Sequence, residues 1–400
     1  MKKSTCARCG ACLAACPVYS MTKHERFGPR GKNMLLDTAL SAGTGAEKPS
    51  AAVTETLKAC LQCGACSAAC PAGVDVRGAI RRAREHNGHD CTVPSWVWEV
   101  LAARGLTPFL ARIISGFPGG SGIIWRLTGL SGQEGFTMPD LAQTPALSSD
   151  RACTSGVPLA GKSAGLKISV FVGCVQNYLY PEVVEGMFKW FGGRISIPRG
   201  QICCGMPAFS SGDREKALKF ALRNISVFRE QAPDYILTGC ATCASMIRNW
   251  AGLVADVPEA HSTAVELGEK VREFSRLAWE LAVIPSPEDL ADVERVTFHA
   301  PCHQRFELGG AEVTEDLLQK MLPGKFTDMT RECCGQGGLF SLGHPELSGR
   351  ILQKRFRNCR RTGATVLLTT CSGCLLQLRA GAGSMEDGPQ ILHIAELVNK

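Results

Sequence analysis

DYILTGCATC (residues 234–243) and ATVLLTTCSGC (residues 364–374) each run a short apolar stretch of strand character straight into a Cys-x2-Cys pair. Upstream of the first lie KISVFVGC (167–174), a second strand pattern ending on Cys174, and a helix pattern in PEVVEGMFKWF (181–191). Cys203-Cys204-Gly205 and a long helix pattern in REKALKFALRNISVFREQ (214–231) follow. Upstream of the second pair the order repeats: RVTFHAPC (295–302), a helix pattern in EVTEDLLQKML (312–322), then Cys333-Cys334-Gly335. Twenty-eight residues separate Cys174 from Cys203 and 30 separate Cys302 from Cys333; the next gaps are 35 and 36. Such agreement marks a tandem duplication. Each copy alternates short apolar strands with helices, so a parallel-sheet α/β layer is expected. The cysteines then fall at the carboxyl ends of strands, the rim where such sheets bind cofactors.

The first 90 residues read differently. TCARCGACLAACPVYS (5–20) and ACLQCGACSAACPAGV (59–74) share the run C-x2-C-x2-C-x3-C-P, the bacterial ferredoxin spacing. Three cysteines in a tight loop reach three irons of one cube, and the fourth, beyond the loop, serves the other cube. Cys6, Cys9, Cys12 and Cys70 are therefore assigned to one [4Fe–4S] cubane, and Cys60, Cys63, Cys66 and Cys16 to the second. Gly10 and Gly64 stand where a side chain would crowd the inorganic sulfide. Zinc favours two separated C-x2-C pairs and fits these runs poorly. The 43 residues between Cys16 and Cys60 look helical in GKNMLLDTALSAG and AAVTETLKAC, which favours an all-helical ferredoxin module over hairpins.

The chain has 21 cysteines, and 18 fall into these ordered sets; Cys91, Cys153 and Cys359 stand outside and read as free thiols. No apolar signal segment precedes the first cysteine run, so reduced, metal-binding thiols are expected rather than a disulfide framework. No stretch of eighteen uncharged apolar residues suggests a membrane span. The formal charge of +7 is spread thinly, only 6% of residues are aromatic, and cluster thiolates would offset part of the charge, so a nucleic-acid partner is not expected. Neither a G-x-G-x-x-G after a strand nor a G-x-x-x-x-G-K-[ST] run occurs, so the chain shows no means of holding its own flavin, nicotinamide or nucleotide.

Each later module offers five thiols: Cys174, Cys203, Cys204, Cys240 and Cys243 in the first, Cys302, Cys333, Cys334, Cys371 and Cys374 in the second. Five exceed one tetrahedral zinc, and adjacent cysteines suit a multi-iron cluster, whose thiolates can bridge irons. A zinc site using four of the five, or a redox disulfide, is the alternative.

With tandem CCG motifs each closed by C-x2-C, the chain resembles the cysteine-rich domains of heterodisulfide reductase catalytic subunits. The glycolate oxidase iron–sulfur subunit and the iron–sulfur subunit of anaerobic glycerol-3-phosphate dehydrogenase combine such domains with paired ferredoxin motifs, so the resemblance covers nearly the whole chain. FGPRGK (27–32) and CCGQGGLFSLGHPEL (333–347) resemble the glycolate oxidase family; GCVQNYLYPEV (173–183) and CCGMPAFSSGD (203–213) are more similar to the glycerol-3-phosphate family. The resemblance implies one or two noncubane [4Fe–4S] clusters on the ten module cysteines. Glycolate oxidase iron–sulfur subunits often lack part of the last C-x2-C, which this chain keeps complete in both modules.

The expected architecture is multidomain α+β. It comprises a helical ferredoxin module (1–90), a helical connector and linker (91–165), and two tandem α/β cysteine-rich modules (166–285 and 286–400). The expected role is the electron-transfer subunit of an oxidoreductase complex, itself not catalytic on the organic substrate. A separate FAD-containing dehydrogenase subunit would oxidise glycolate or lactate, with a quinone or other acceptor downstream. The chain would be cytoplasmic or held peripherally at the inner face of the membrane through partners. The alternatives are the iron–sulfur subunit of an anaerobic glycerol-3-phosphate dehydrogenase, and a heterodisulfide reductase-like protein reducing a disulfide at a noncubane cluster. His303, after Cys302, is a candidate ligand or proton donor, with a hydrogen bond near the site the expected role. His299, His344 and His393 read as ordinary structural or surface residues. Arg30 is either a counter-charge to a cluster or a plain surface arginine, and Trp96 and Trp98 read as core, with a docking or membrane-facing patch as the alternative.

Overall fold

The computed structural model describes residues 6–41, 51–86, 165–192 and 195–399. The connector expected over 91–165, with Cys91, Trp96, Trp98 and Cys153, lies outside the described residues except for its last residue.

The described residues of the N-terminal part form helices joined by loops, with no strand among them: Ala11–Ala14, Pro17–Thr22, Pro29–Ser41, Ala51–Lys58, Ala65–Ala68 and Val76–His86, with a 3-10 turn at Glu25–Phe27. Its two cysteine runs have one backbone shape. Arg8 and Gln62 adopt φ of 57° and 54°, Gly10 and Gly64 φ of 84° and 80°, and a one-turn helix follows each glycine. Left-handed φ is costly for any residue with a Cβ, which explains glycine after the second cysteine. A Cβ on Gly64 would meet only Phe306 and Arg77 at 3.6–3.7 Å, so the described constraint there is conformational rather than steric. Pro17 opens its helix at N1, where its missing N–H costs nothing. Leu36, Leu57, Val74, Val76, Ile80 and Ala83 form a small core, with Cys6, Cys60, Cys66 and Cys70 packed against it.

The rest holds two parallel sheets. The first has strands β1 (Ile168–Val170), β2 (Ile195–Ser196), β3 (Tyr235–Thr238) and β4 (Val271–Glu273), in the order β2-β1-β3-β4. The second has β5 (Val296–His299), β6 (Val366–Thr369) and β7 (Gln390–His393), in that order. On the free side of β5, Val296 bridges Phe326 in parallel, taking the place that β2 holds beside β1. The duplication is thus topological as well as sequential. Sequence patterns identify β1, β3, β5 and β6; the edge strands β2, β4 and β7 fall outside those patterns.

The chain leaves β1 to one side for β2 and returns on the other for β3, so the switch point lies between β1 and β3, and likewise between β5 and β6. Cys174 and Cys240 begin helices directly after β1 and β3, and Cys302 and Cys371 do so after β5 and β6. One continuous hydrophobic core runs through both sheets. Trp190 and Phe274 meet edge to face at 5.0 Å within it, each contributing roughly 1.5–3 kcal/mol by burial. The helix Pro181–Phe191 of the first module lies against the C-terminal turn Ile394–Asn399; a Cβ on Gly186 would collide with the Ala395 carbonyl oxygen. Arg379 closes this seam, reaching Glu182 at 2.7 Å and Glu396 at 2.7 and 3.0 Å. No helix among the described residues is long and apolar enough to cross a membrane.

Candidate metal centres

None of the described cysteines is in a disulfide, and all except Cys359 belong to four converging groups. In the N-terminal part, burial and then the neighbouring thiols of Cys6, Cys70 and Cys9 push the Cys12 thiol up. The second group crosses the two runs. Burial pushes Cys63 up to about 12, with Cys60 and Cys16 adding to it, and Cys66 is raised by burial and by Cys60, Cys63 and Cys16. Cys16 is thus placed with the second run and Cys70 with the first.

Backbone N–H groups point at the sulfurs: Tyr19 donates to Cys16 Sγ at 3.5 Å and Val74 to Cys70 Sγ at 3.3 Å. Such donors favour a negatively charged sulfur. FGPRGK supplies two cations. Lys32 is buried, its ammonium donates to the Ala59 carbonyl, and its charge lowers Cys16 against the burial that raises it. Arg30 grips Glu25 through two bonds of 2.7 and 3.1 Å and donates to the Arg8 carbonyl at 3.0 Å, so it clamps the first cysteine loop.

In the first cysteine-rich module Cys174 and Cys203 Sγ lie 3.9 Å apart, and hydrogen bonds from Cys203 and Cys243 lower the Cys204 thiol. In the second, Cys334 and Cys374 Sγ lie 3.3 Å apart, and hydrogen bonding with Cys333 and Cys374 lowers Cys334. Cys240 and Cys371 are the N-caps of helices Ala241–Leu253 and Ser372–Gly383, so the positive helix ends face the thiols. The glycine of each CCG has a physical cause. Gly205 and Gly335 adopt φ of 94° and 93°, and a Cβ on Gly335 would stand 2.7 Å from the Ser348 carbonyl oxygen of the adjoining helix. The paired cysteines of the first module are held by their carbonyls: Asn224 Nδ2 donates to Cys203 O at 3.0 Å and Trp250 Nε1 to Cys204 O at 3.1 Å.

The two modules meet through their cysteine rims. Ala241 N donates to Thr370 O at 2.9 Å, and the Thr242 hydroxyl lies 3.1 Å from Cys371 Sγ and 2.9 Å from His303 Nδ1. Cys240 and Cys371 also hydrogen-bond across the seam. His303 hydrogen-bonds at the site, and burial lowers its pKa. The N-terminal part joins the same place: Cys63 acts electrostatically on Cys302 and Cys333, and it packs with Cys333, Leu61 and Phe340 in one apolar cluster.

His299 is buried at the end of β5, its ring nitrogens within 4.8 Å of the Cys334 and Cys374 sulfurs. The sequence holds a signal, since His299 falls three residues before Cys302 where Phe171 falls three before Cys174. His393 is fully buried at the end of β7, its ring accepting from Ala395 N at 3.1 Å, and His344 stacks on Phe340 at 5.2 Å.

Converging, unbridged thiols with helix ends and N–H donors aimed at them fit iron–sulfur groups, and comparison with known proteins agrees. The profile of 4Fe-4S dicluster domains matches residues 2–74, and that of the cysteine-rich domain matches 168–248 and 296–379. The chain is 26% identical to the probable glycolate oxidase iron-sulfur subunit of Bacillus subtilis (strain 168), over 98% of this chain and 92% of that one. It is 30% identical to lactate utilization protein A of Shouchella clausii (strain KSM-K16), over 58% of this chain and 99% of that protein. Lactate utilization protein A of Bacillus subtilis (strain 168) is 28% identical over the same shares. The chain belongs to the family of iron–sulfur proteins that join a 4Fe-4S dicluster domain to two cysteine-rich domains, the family of the glycolate oxidase iron-sulfur subunit.

Proposed function

We propose that this chain is the electron-relay subunit of a 2-hydroxy-acid dehydrogenase complex, working beside a FAD-containing subunit that oxidises glycolate or lactate. Oxidation of the hydroxy acid to the 2-oxo acid releases two electrons and two protons to the flavin; the relay then takes the electrons one at a time toward a quinone or other acceptor. Iron–sulfur groups supply one-electron transfer at potentials set by charge, burial and hydrogen bonds. In this reading Cys6, Cys9, Cys12 and Cys70 hold one cubane and Cys16, Cys60, Cys63 and Cys66 the other. The five cysteines of each later module hold a noncubane group.

The observation that carries the reading is contiguity. The Cys63 group acts on Cys302 and Cys333, and Cys371 hydrogen-bonds with Cys240, so three thiol groups follow one another; the Cys12 group adjoins them through the small core against which Cys6, Cys70, Cys60 and Cys66 all pack. The order is the Cys12 group, the Cys63 group, the second module, then the first. The names of the relatives support a hydroxy-acid substrate for the partner.

The test is anaerobic purification with iron analysis, combined with Cys63→Ser in the full complex. The relay requires that this variant lose electron flow to a quinone analogue while the flavoprotein still reduces an artificial dye. Full quinone-linked activity would refute it, as would stoichiometric zinc in place of iron. The complete five-cysteine sets in both modules favour a second reading, a disulfide-reducing centre, which turnover of a disulfide substrate by the isolated chain would establish.

A further inference from the structure

We propose that His299 is a nitrogen ligand of the metal group in the second cysteine-rich module, so that the two modules hold chemically different centres. The inference rests on the reading above, in which that module binds an iron–sulfur group.

Three observations carry it. The ring nitrogens of His299 and the sulfurs of Cys334 and Cys374 offer one ligand atom each, all within 4.8 Å of one another. Two thiolates and an imidazole on one tetrahedral metal, bound at about 2.3 Å and about 2.0 Å, have spacings of that order. Second, His299 is 1% exposed, and its ring has no hydrogen-bond partner other than the Cys334 thiol, itself one of the three converging donors. An imidazole buried with so little hydrogen bonding is costly, and a metal bond relieves that cost. Third, the corresponding residue of the first module is Phe171, which packs on Phe228 and Trp250 with ring centroids 5.9 and 6.1 Å away. The duplicated position is therefore purely apolar in one copy and a donor in the other.

The consequence is a ranking. Both modules keep five cysteines, so the ranking follows where the His299 nitrogen takes the coordination position of one of those thiolates: imidazole brings no negative charge, whereas a thiolate does, and histidine in place of thiolate raises the potential of an iron–sulfur centre. The second module, which stands next to the Cys63 group, is then the more oxidising of the two.

The test uses the full-length protein, prepared anaerobically and reduced, with and without 15N-histidine labelling. Pulsed electron paramagnetic resonance should show a coordinated-nitrogen coupling that changes with the isotope. That coupling should persist in His303→Gln and vanish in His299→Phe, whose side chain copies Phe171. The midpoint potential of the affected centre should fall in the same variant. Because labelling needs no substitution, a folding defect in His299→Phe leaves the question decidable. Absence of an isotope-sensitive coupling, in a protein whose Cys374→Ser variant has lost iron, overturns the histidine ligand and leaves the cluster reading standing. Unchanged iron in Cys374→Ser overturns both.

Discussion

Arg77, in the last described helix of the N-terminal part, is ion-paired with Glu307, the last residue of the helix that begins at Cys302. Glu307 also accepts from Ser245 and Asn249 of the first module and lies 3.6 Å from His303 Nε2. One carboxylate therefore joins three parts of the chain. Burial opposes its charge, but His303, Arg77 and the Ser245 hydroxyl together hold it below the usual carboxylate range.

Arg77→Ala should loosen the N-terminal part from the rest. Both side chains of the pair are mostly buried, so the loss should be on the order of 1–3 kcal/mol, below that of a wholly buried pair. Limited proteolysis should release the N-terminal part faster, with iron content unchanged. An unaltered cleavage rate would show that the remaining contacts, the Leu61, Phe340 and Ile351 cluster and the bonds of Arg84 to Ser210 O and of Arg350 to Met21 O, suffice to hold the joint.

The CCG glycines should respond unequally to alanine. Both would be forced into left-handed φ, at about 1–2 kcal/mol each. Gly335→Ala also drives a methyl to 2.7 Å from backbone oxygen, whereas Gly205→Ala meets its nearest atom at 3.4 Å. Thermal melts should rank Gly335→Ala well below Gly205→Ala, and iron analysis should show the larger loss in the former.

Glu273 makes stability depend on pH. Burial pushes its carboxyl up to about 7, against the hydrogen bonds from Ser275 that favour the anion. A raised folded pKa means the folded state holds its proton where the unfolded chain has lost it. Stability therefore rises as pH falls from about 7 toward 4.5, and the charge is a burden above that window. Relative to wild type, Glu273→Gln should gain stability between pH 5 and pH 8, by on the order of 3 kcal/mol at most. Parallel denaturant curves at the two pH values that shift by equal amounts would contradict this.

Cys359 and Asn224 should separate packing from ligand support. Cys359→Ala removes a buried thiol outside every group and should cost roughly 1 kcal/mol with no change in iron. Asn224→Ala removes three hydrogen bonds, to Ile202 N, Cys203 O and Phe220 O, and should cost about 2–4 kcal/mol. It should also lower iron in the first module. Equal iron loss in the two variants would show that Asn224 does nothing particular for the cysteine pair.

The sequence displays what repeats and hides what folding brings together. Cysteine spacing places Cys16 with the second run and Cys70 with the first because ligand exchange is a local geometric rule. Strand patterns ending on Cys174, Cys240, Cys302 and Cys371 expose the duplicated sheet. The joining of the two rims through Thr242, and of three parts at Glu307, depends on pairs 61 to 230 residues apart that no local period encodes. For His299 the sequence shows only its mismatch with Phe171 in the other copy, because its sulfur neighbours lie 35 and 75 positions further along the chain.

The meeting of the two rims also constrains how the protein matures. Cys240 and Cys371 meet across the seam and are both buried, while Cys9 in the first run is exposed. In the relay reading, a donor protein reaches the first run on the closed molecule, whereas the seam sulfurs are reached more readily before the two halves close.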